Sequence, residues 1–159
     1  MIPQEFFDLL KSTFGDAILE AKLDGVFDPF ITVAPDRMPE VGRFLRDNEK
    51  TLCDSLMCLS GVDLTKGKLG VVYHLHSTKF NHKIVLKATV TVEQPHVGSV
   101  EAVWKTANWH EREAYDMFGI VFDGHPDLRR ILMPDDWDGF PLRKDYQVPE
   151  FYNGMKVPY

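Results

Sequence analysis

The residue types that could do chemistry crowd into one stretch, Asn108 to Tyr146. It holds the carboxylates Glu111, Glu113, Asp116, Asp123, Asp127, Asp135, Asp136, Asp138 and Asp145 beside His110 and His125. Two such carboxylates, or one with a histidine, could run general acid–base chemistry. Each of the first three also has a nearer structural use. Asn108 followed three residues later by Glu111 has the spacing of a capping box. Glu111 and Glu113 suit the positive end of a helix. Arg112 and Asp116, four apart, can pair along it. His110-Glu111 opens like a zinc-protease helix, but Ala114 stands where H-E-x-x-H needs its second histidine. An ion-paired helix face is therefore preferred to a free-standing hydrolase built on Glu111, Glu113 or Asp116 with His125.

The other candidates are thinner. His74 and His76 share one face of a strand-like run, yet no third metal ligand is identifiable, so they read as cross-strand packing. Cys53 and Cys58 have the spacing of the first pair of a plant-type iron–sulfur site, but the chain has no further cysteine. They read as two thiols in a reducing compartment. No G-x-S-x-G elbow, phosphate loop or G-x-G-x-x-G occurs. No catalytic, cofactor-binding or metal residue is thus assigned. Arg129-Arg130 and Arg143-Lys144 instead alternate with Trp137, Phe140 and Tyr146. Arginine forks beside aromatic anchors are the composition of interface hot spots.

The elements that must position these residues follow from periodicity. Phe6, Phe7, Leu10 and Phe14 predict a helix over Pro3–Phe14, stopped by Gly15. Strands are expected over 17–23 and 29–33, then a helix capped by Asp36 with Pro39 in its first turn, ending near Asp47. Strand-like runs over 53–64, 69–77 and 83–93 are joined by short turn sequences. Pro95 is expected to end the sheet, Ser99 to cap a helix through Ala107, and a fresh helix to run from Trp109 to Phe118, with Gly119 as its left-handed stop. Residues 1–120 are therefore expected to form an α+β two-layer sandwich of helices on a mostly antiparallel sheet.

Beyond it, Pro126, Pro134, Pro141, Pro149 and Pro158 break regular structure. Trp137, Phe140, Tyr146, Phe151, Tyr152 and Tyr159 are too many aromatics for a solvating tail. Residues 121–159 read as an extended, irregular C-terminal docking arm, poorly ordered alone and ordered against a partner. Arg129→Ala or Arg143→Ala is expected to weaken assembly more than fold stability.

The totals bound the function. The chain has 159 residues, 44% of them hydrophobic, and a net charge of −6. That suits one domain with a real core. The acidic balance speaks against a nucleic-acid partner. No apolar run approaches the roughly 20 residues that cross a bilayer, so membrane contact is expected only through a partner. The acidic start predicts no signal peptide.

Three runs together resemble a known family: EREAYDMFGI from Glu111, FDGHPDLRRIL from Phe122 and PLRKDY from Pro141. They are similar to the signature of the 30-kDa subunit of respiratory complex I, the proton-translocating NADH:quinone oxidoreductase. The resemblance implies an accessory subunit of the peripheral arm with no cofactor of its own, in a complex that uses FMN, iron–sulfur clusters, NADH and quinone. As partners it implies the larger quinone-site subunit, which forms part of the quinone pocket, and other peripheral-arm subunits. The place implied is the cytoplasmic face of the inner membrane (matrix or stroma side in an organelle). The residues expected at the partner interface or in the signature are Glu111, Arg112, Glu113, Asp116, Gly119, His125, Pro126, Arg129, Arg130, Trp137, Arg143, Lys144, Asp145 and Tyr146. A homologous subunit of membrane-bound [NiFe]-hydrogenases or ferredoxin-linked complexes is the alternative.

Overall fold

A computed structural model of the protein describes residues 1–157; Pro158 and Tyr159 of the expected arm lie outside them. Helix α1 spans Pro3–Phe14 and buries Phe6 and Leu10. Strands β1 (Ile18–Lys22) and β2 (Phe30–Val33) form an antiparallel pair. Helix α2 spans Met38–Asp47 and buries Val41 and Leu45. A one-turn 3-10 helix, Pro35–Arg37, precedes it, so the cap position falls on Arg37 and not on Asp36. Strands β3 (Ser55–Thr65), β4 (Lys68–His76) and β5 (Lys83–Thr91) are joined by short connections. The sheet order is β1-β2-β5-β4-β3, antiparallel except for the β2–β5 pair. The mostly antiparallel α+β sandwich expected from the sequence is the fold observed.

Alternation divides the sheet cleanly. Val71, Tyr73, Leu75, Leu86 and Ala88 point into the core with Phe6, Leu10, Val41 and Leu45. Helix α3 (Ala107–Phe118) packs on the same face over β3. Gly61 permits this approach: a Cβ there would meet the Phe118 ring at 2.6 Å. Trp104 closes the core between the helices and donates from Nε1 to the Cys53 carbonyl at 3.0 Å.

The five-stranded sheet ends before Pro95, as expected, and a separate parallel pair follows, β6 (His96–Gly98) with β7 (Val121–Asp123). One expectation fails between 95 and 123. The segment from Ser99 through Trp104 forms turns rather than a helix, and α3 begins at Ala107. Phe122 of β7, 2% exposed, belongs to the core. Beyond it the arm is irregular, apart from a small hairpin of β8 (Phe151–Tyr152) and β9 (Met155–Lys156). Among the described residues, no helix is long and apolar enough to cross a membrane.

Candidate functional site

Helix α3 is the post to which the signature residues are tied, but not by the local pairs that its spacing suggests. Glu111 does not cap its own helix. It is fully buried and reaches away from it, accepting from the Ser99 hydroxyl at 2.6 Å and the Val100 amide at 2.7 Å. Ser99 thus fixes the turn after β6 and caps no helix. The reason is competition. An exposed capping contact shares its acceptor with water, whereas two short bonds to a buried carboxylate do not. Burial pushes the Glu111 carboxyl up to about 7, against the opposing pull of those two donors. Nearby, the buried Tyr73 hydroxyl has no hydrogen-bond partner among the described residues. Burial and the Glu111 charge raise its pKa well above the ordinary value.

The expected Arg112–Asp116 pair is also absent among the described residues. Arg112 donates instead to the carbonyls of Arg129 at 3.1 Å and Arg130 at 2.9 Å. Asp116, with no exposed surface, is a cradle for the arm. Its Oδ2 accepts three successive amides, Ile131 at 3.0 Å, Leu132 at 2.7 Å and Met133 at 2.9 Å. Its Oδ1 accepts from Arg130 Nη1 at 2.6 Å. Burial pushes the Asp116 carboxyl up, but these four donors outweigh it and hold it below the ordinary value. Arg130 spans the gap, donating also to the carbonyls of Asp116, Trp137 and Gly139. Buried charges joined to several backbone partners in this way outcompete an exposed i,i+4 pair worth about 0.3–0.5 kcal/mol.

The far end of α3 is held by Arg143. Its Nε donates to the Phe118 carbonyl at 2.6 Å, and its guanidinium lies 4.4 Å from the Phe140 ring centre. Gly119 does what its spacing predicts: it takes φ +71° as the helix stop. It has a second use that its spacing does not reveal, since a Cβ would come within 2.6 Å of Arg143 Nη2 and of the Phe140 ring. Trp137 donates to the Tyr146 hydroxyl at 3.0 Å and packs against Tyr152, whose hydroxyl donates to Asp136 at 2.7 Å. The Lys144 amide donates to Asp63 at the end of β3, a contact across 81 positions that no local pattern signals.

His125 has both ring nitrogens in use. Nε2 donates to the Asn108 carbonyl at 3.0 Å, and Nδ1 accepts from the Asp127 amide at 3.0 Å. Glu113, Pro126, Arg129, Lys144 and Asp145 stand exposed, with Arg129 paired to Asp127. The arrangement brings Asp116, Arg112, Arg130, Gly119 and Arg143 together as one clamp and leaves Glu111 separate in the interior. Glu111, Asp116 and His125 are each engaged by protein donors and acceptors, while Glu113 stands exposed at the surface of α3. Burial also drives the Cys53 thiol up to about 12, so it stays protonated. Among the described residues, no three potential metal ligands converge.

Outside this clamp the arm turns apolar side chains to solvent: Leu132, Leu142, Val148, Phe151 and Met155 are all exposed.

Comparison with known proteins places the chain in a family. The family model for the respiratory-chain NADH dehydrogenase 30 Kd subunit matches residues 31–152. An NADH-quinone oxidoreductase subunit from Chloroherpeton thalassium is 50% identical over 155 residues, covering 96% of this chain and 64% of that protein. The subunit of the same name from Chlorobium phaeobacteroides is 47% identical over 155 residues, covering 96% of this chain and 93% of that protein. The chain therefore spans just under two thirds of the first relative and nearly all of the second. The solved trypsin-resistant fragment (1-134) of Nqo5 superposes with a TM-score of 0.62 at 27% identity, over 80% of this chain and 100% of the fragment. A chain of the membrane-bound sulfane sulfur reductase, an archaeal respiratory membrane complex, shares the fold with a TM-score of 0.73 at 20% identity, over 91% of this chain and 85% of its own.

Proposed function

The chain belongs to the family of the 30 Kd subunit of respiratory-chain NADH dehydrogenase, and from that premise we propose that it is a cofactor-free scaffold subunit of a proton-translocating NADH:quinone oxidoreductase. It sits in the peripheral arm of the complex and touches the membrane only through its partners. The docking arm that follows β7 holds the larger quinone-site subunit and cluster-bearing neighbours while electrons pass from NADH to quinone. FMN, the iron–sulfur clusters and the quinone site belong to those neighbours.

One observation carries this reading. The arm's buried polar groups are satisfied at α3, yet its outer side leaves Leu132, Leu142, Val148, Phe151 and Met155 in water. Exposed large apolar side chains gathered on one segment mark an interaction surface. The inward side fixes the arm's shape and the outward side is left for a partner.

The test is co-purification from cells that build the complex. Leu142→Asp with Phe151→Asp should cut recovery of the quinone-site partner about tenfold or more, since each buried apolar anchor contributes about 1.5–3 kcal/mol. Arg129→Ala should also weaken assembly and leave the free chain's stability nearly unchanged, because its ion pair with Asp127 is exposed. Arg143→Ala should act on the fold as well, since Arg143 holds the last turn of α3. Full recovery of the partners with the double variant sinks the reading. The partners recovered with the unaltered chain also decide the complex: flavin and NADH-module subunits support this proposal, and a nickel-site protein supports the hydrogenase alternative.

A further inference from the structure

All three helices lie on one face of the five-stranded sheet, and the opposite face carries no layer of its own among the described residues. Its charge differs from that of the rest of the chain. This side carries Lys22, Lys68, Lys83 and Lys87 against two carboxylates, Glu20 and, beside Lys83, Asp28. That is +2 on a chain of −6, which leaves −8 for the remainder. Between the lysines an apolar patch lies low on the sheet, bordered by Thr32, His74 and Thr89. Val85 is buried, Val72 is half-buried, and Gly70 is covered by Leu64. The Lys87 ammonium lies 3.5 Å from the centre of the Phe30 ring, flat on the sheet rather than out in solvent. At one rim a cavity of about 350 Å³ opens between Asp28, Met57, His74 and Lys83. Phe27, 99% exposed, immediately precedes Asp28 of that rim in the chain.

We propose that this open sheet face is a second docking surface, and that its occupant is an amphipathic helix of a partner protein with an apolar stripe and acidic flanks. The proposal rests on the reading that the chain works inside a multisubunit complex, and it concerns a different surface from the arm. Width and hydrogen bonding select a helix. Four strand spacings of about 4.8 Å make a face about 19 Å across, and a helix with its side chains is about 10 Å wide. The inner strands β2, β5 and β4 are paired on both sides, so an added strand has no backbone to join there. A helix laid over the floor completes a third layer, the usual way for an apolar sheet face to be covered. Charge selects the flanks: carboxylates on either side of the stripe meet the lysines, and Phe27 and Met57 supply anchors at the rim. A second copy of this chain is a poor fit, because face-to-face pairing sets lysine against lysine. A lipid surface is also a poor fit, because the apolar floor lies below the lysines and a plane of headgroups cannot fill it.

The experiment places the photo-crosslinker p-benzoylphenylalanine at Val72 in the full chain and irradiates the purified assembled complex. The expected product joins position 72 to an acidic helical segment of another protein of the complex. Lys83→Glu with Lys87→Glu should lower that product about tenfold while the free chain's melting temperature stays put. A product with lipid, a product with a second copy, or no product from a complex that has assembled overturns the proposal and leaves the arm reading standing. A chain that recovers no partner at all overturns both.

Discussion

Replacing Asp116 by Asn tests whether one carboxylate organises the arm. The substitution keeps the side chain's shape and removes its charge and one acceptor. In the native protein Oδ2 takes the amides of Ile131, Leu132 and Met133, and Oδ1 takes the Arg130 guanidinium. An amide cannot serve both sets. With its oxygen toward the three N–H groups, its NH2 faces Arg130; turned over, its NH2 faces three other donors. A charge-assisted hydrogen bond contributes about 1.5–3 kcal/mol, and removing one partner of a buried pair costs about 3–5 kcal/mol. The loss is limited by the ease with which the arm can lift away and rehydrate. Arg130 also keeps its bonds to the Trp137 and Gly139 carbonyls. The expected loss is therefore at the lower end, about 3 kcal/mol, or about a hundredfold in the opening equilibrium. Native-state hydrogen exchange reads it directly at the amides of Ile131, Leu132 and Met133. Their protection should fall about a hundredfold while the amides of β4 change far less. Protection within about threefold of the unaltered chain refutes the cradle. An equal fall at β4 refutes the idea that the arm opens as a unit apart from residues 1–120.

Two further substitutions test the same helix. Glu111 titrates at about 7 in the fold against an ordinary 4.5, so folding binds a proton between those values. Its stabilising contribution is fully present below about pH 4.5 and is lost as pH rises through about 7, a change of about 3 kcal/mol. Glu111→Gln mimics the neutral form, so urea unfolding should find the variant near the unaltered chain at pH 4.5 and more stable than it at pH 8; a difference that does not change with pH contradicts this. Gly119→Ala adds a left-handed backbone penalty of about 1–2 kcal/mol to a crowding penalty of about 1–3 kcal/mol. A denaturation midpoint equal to that of the unaltered chain would show that Arg143 and Phe140 do not pack where described.

What is legible in the sequence follows the range of the interactions. Helix α1 begins at Pro3 and ends at Phe14, as its apolar spacing and Gly15 predict, because a helix end is decided within one turn. The alternation of β5 sorts Ile84, Leu86, Ala88 and Val90 to the core for the same reason. The parallel β6–β7 pair has no such signal, because two three-residue strands joined across a helix leave no periodic pattern. Within the signature, composition shows that charged and aromatic residues cluster, but local rules assign the charged ones the wrong individual partners. Glu111 goes to Ser99, Arg112 to the carbonyls of Arg129 and Arg130, and Asp116 to the amides of 131–133.

The size of the competing effects explains why the local rules lose there and hold elsewhere. A capping box or an i,i+4 pair on a wet surface contributes about 0.3–2 kcal/mol. A buried carboxylate left with too few donors costs several kcal/mol. With α3 over β3 and the arm over α3, Glu111 and Asp116 are out of water, and only a chain segment that brings backbone amides to them can leave them charged. The loop after β6 does this in part for Glu111, whose carboxyl stays raised. The arm does it fully for Asp116, whose carboxyl is lowered. The opposite directions of these two shifts follow from burial that prevails over two donors at Glu111 and is outweighed by four donors at Asp116. They also explain how an irregular, proline-broken segment can keep one shape without a core of its own. Its path is set by the donors and acceptors that α3 leaves unsatisfied, and apolar side chains not needed for that task, such as Leu132 and Leu142, remain exposed.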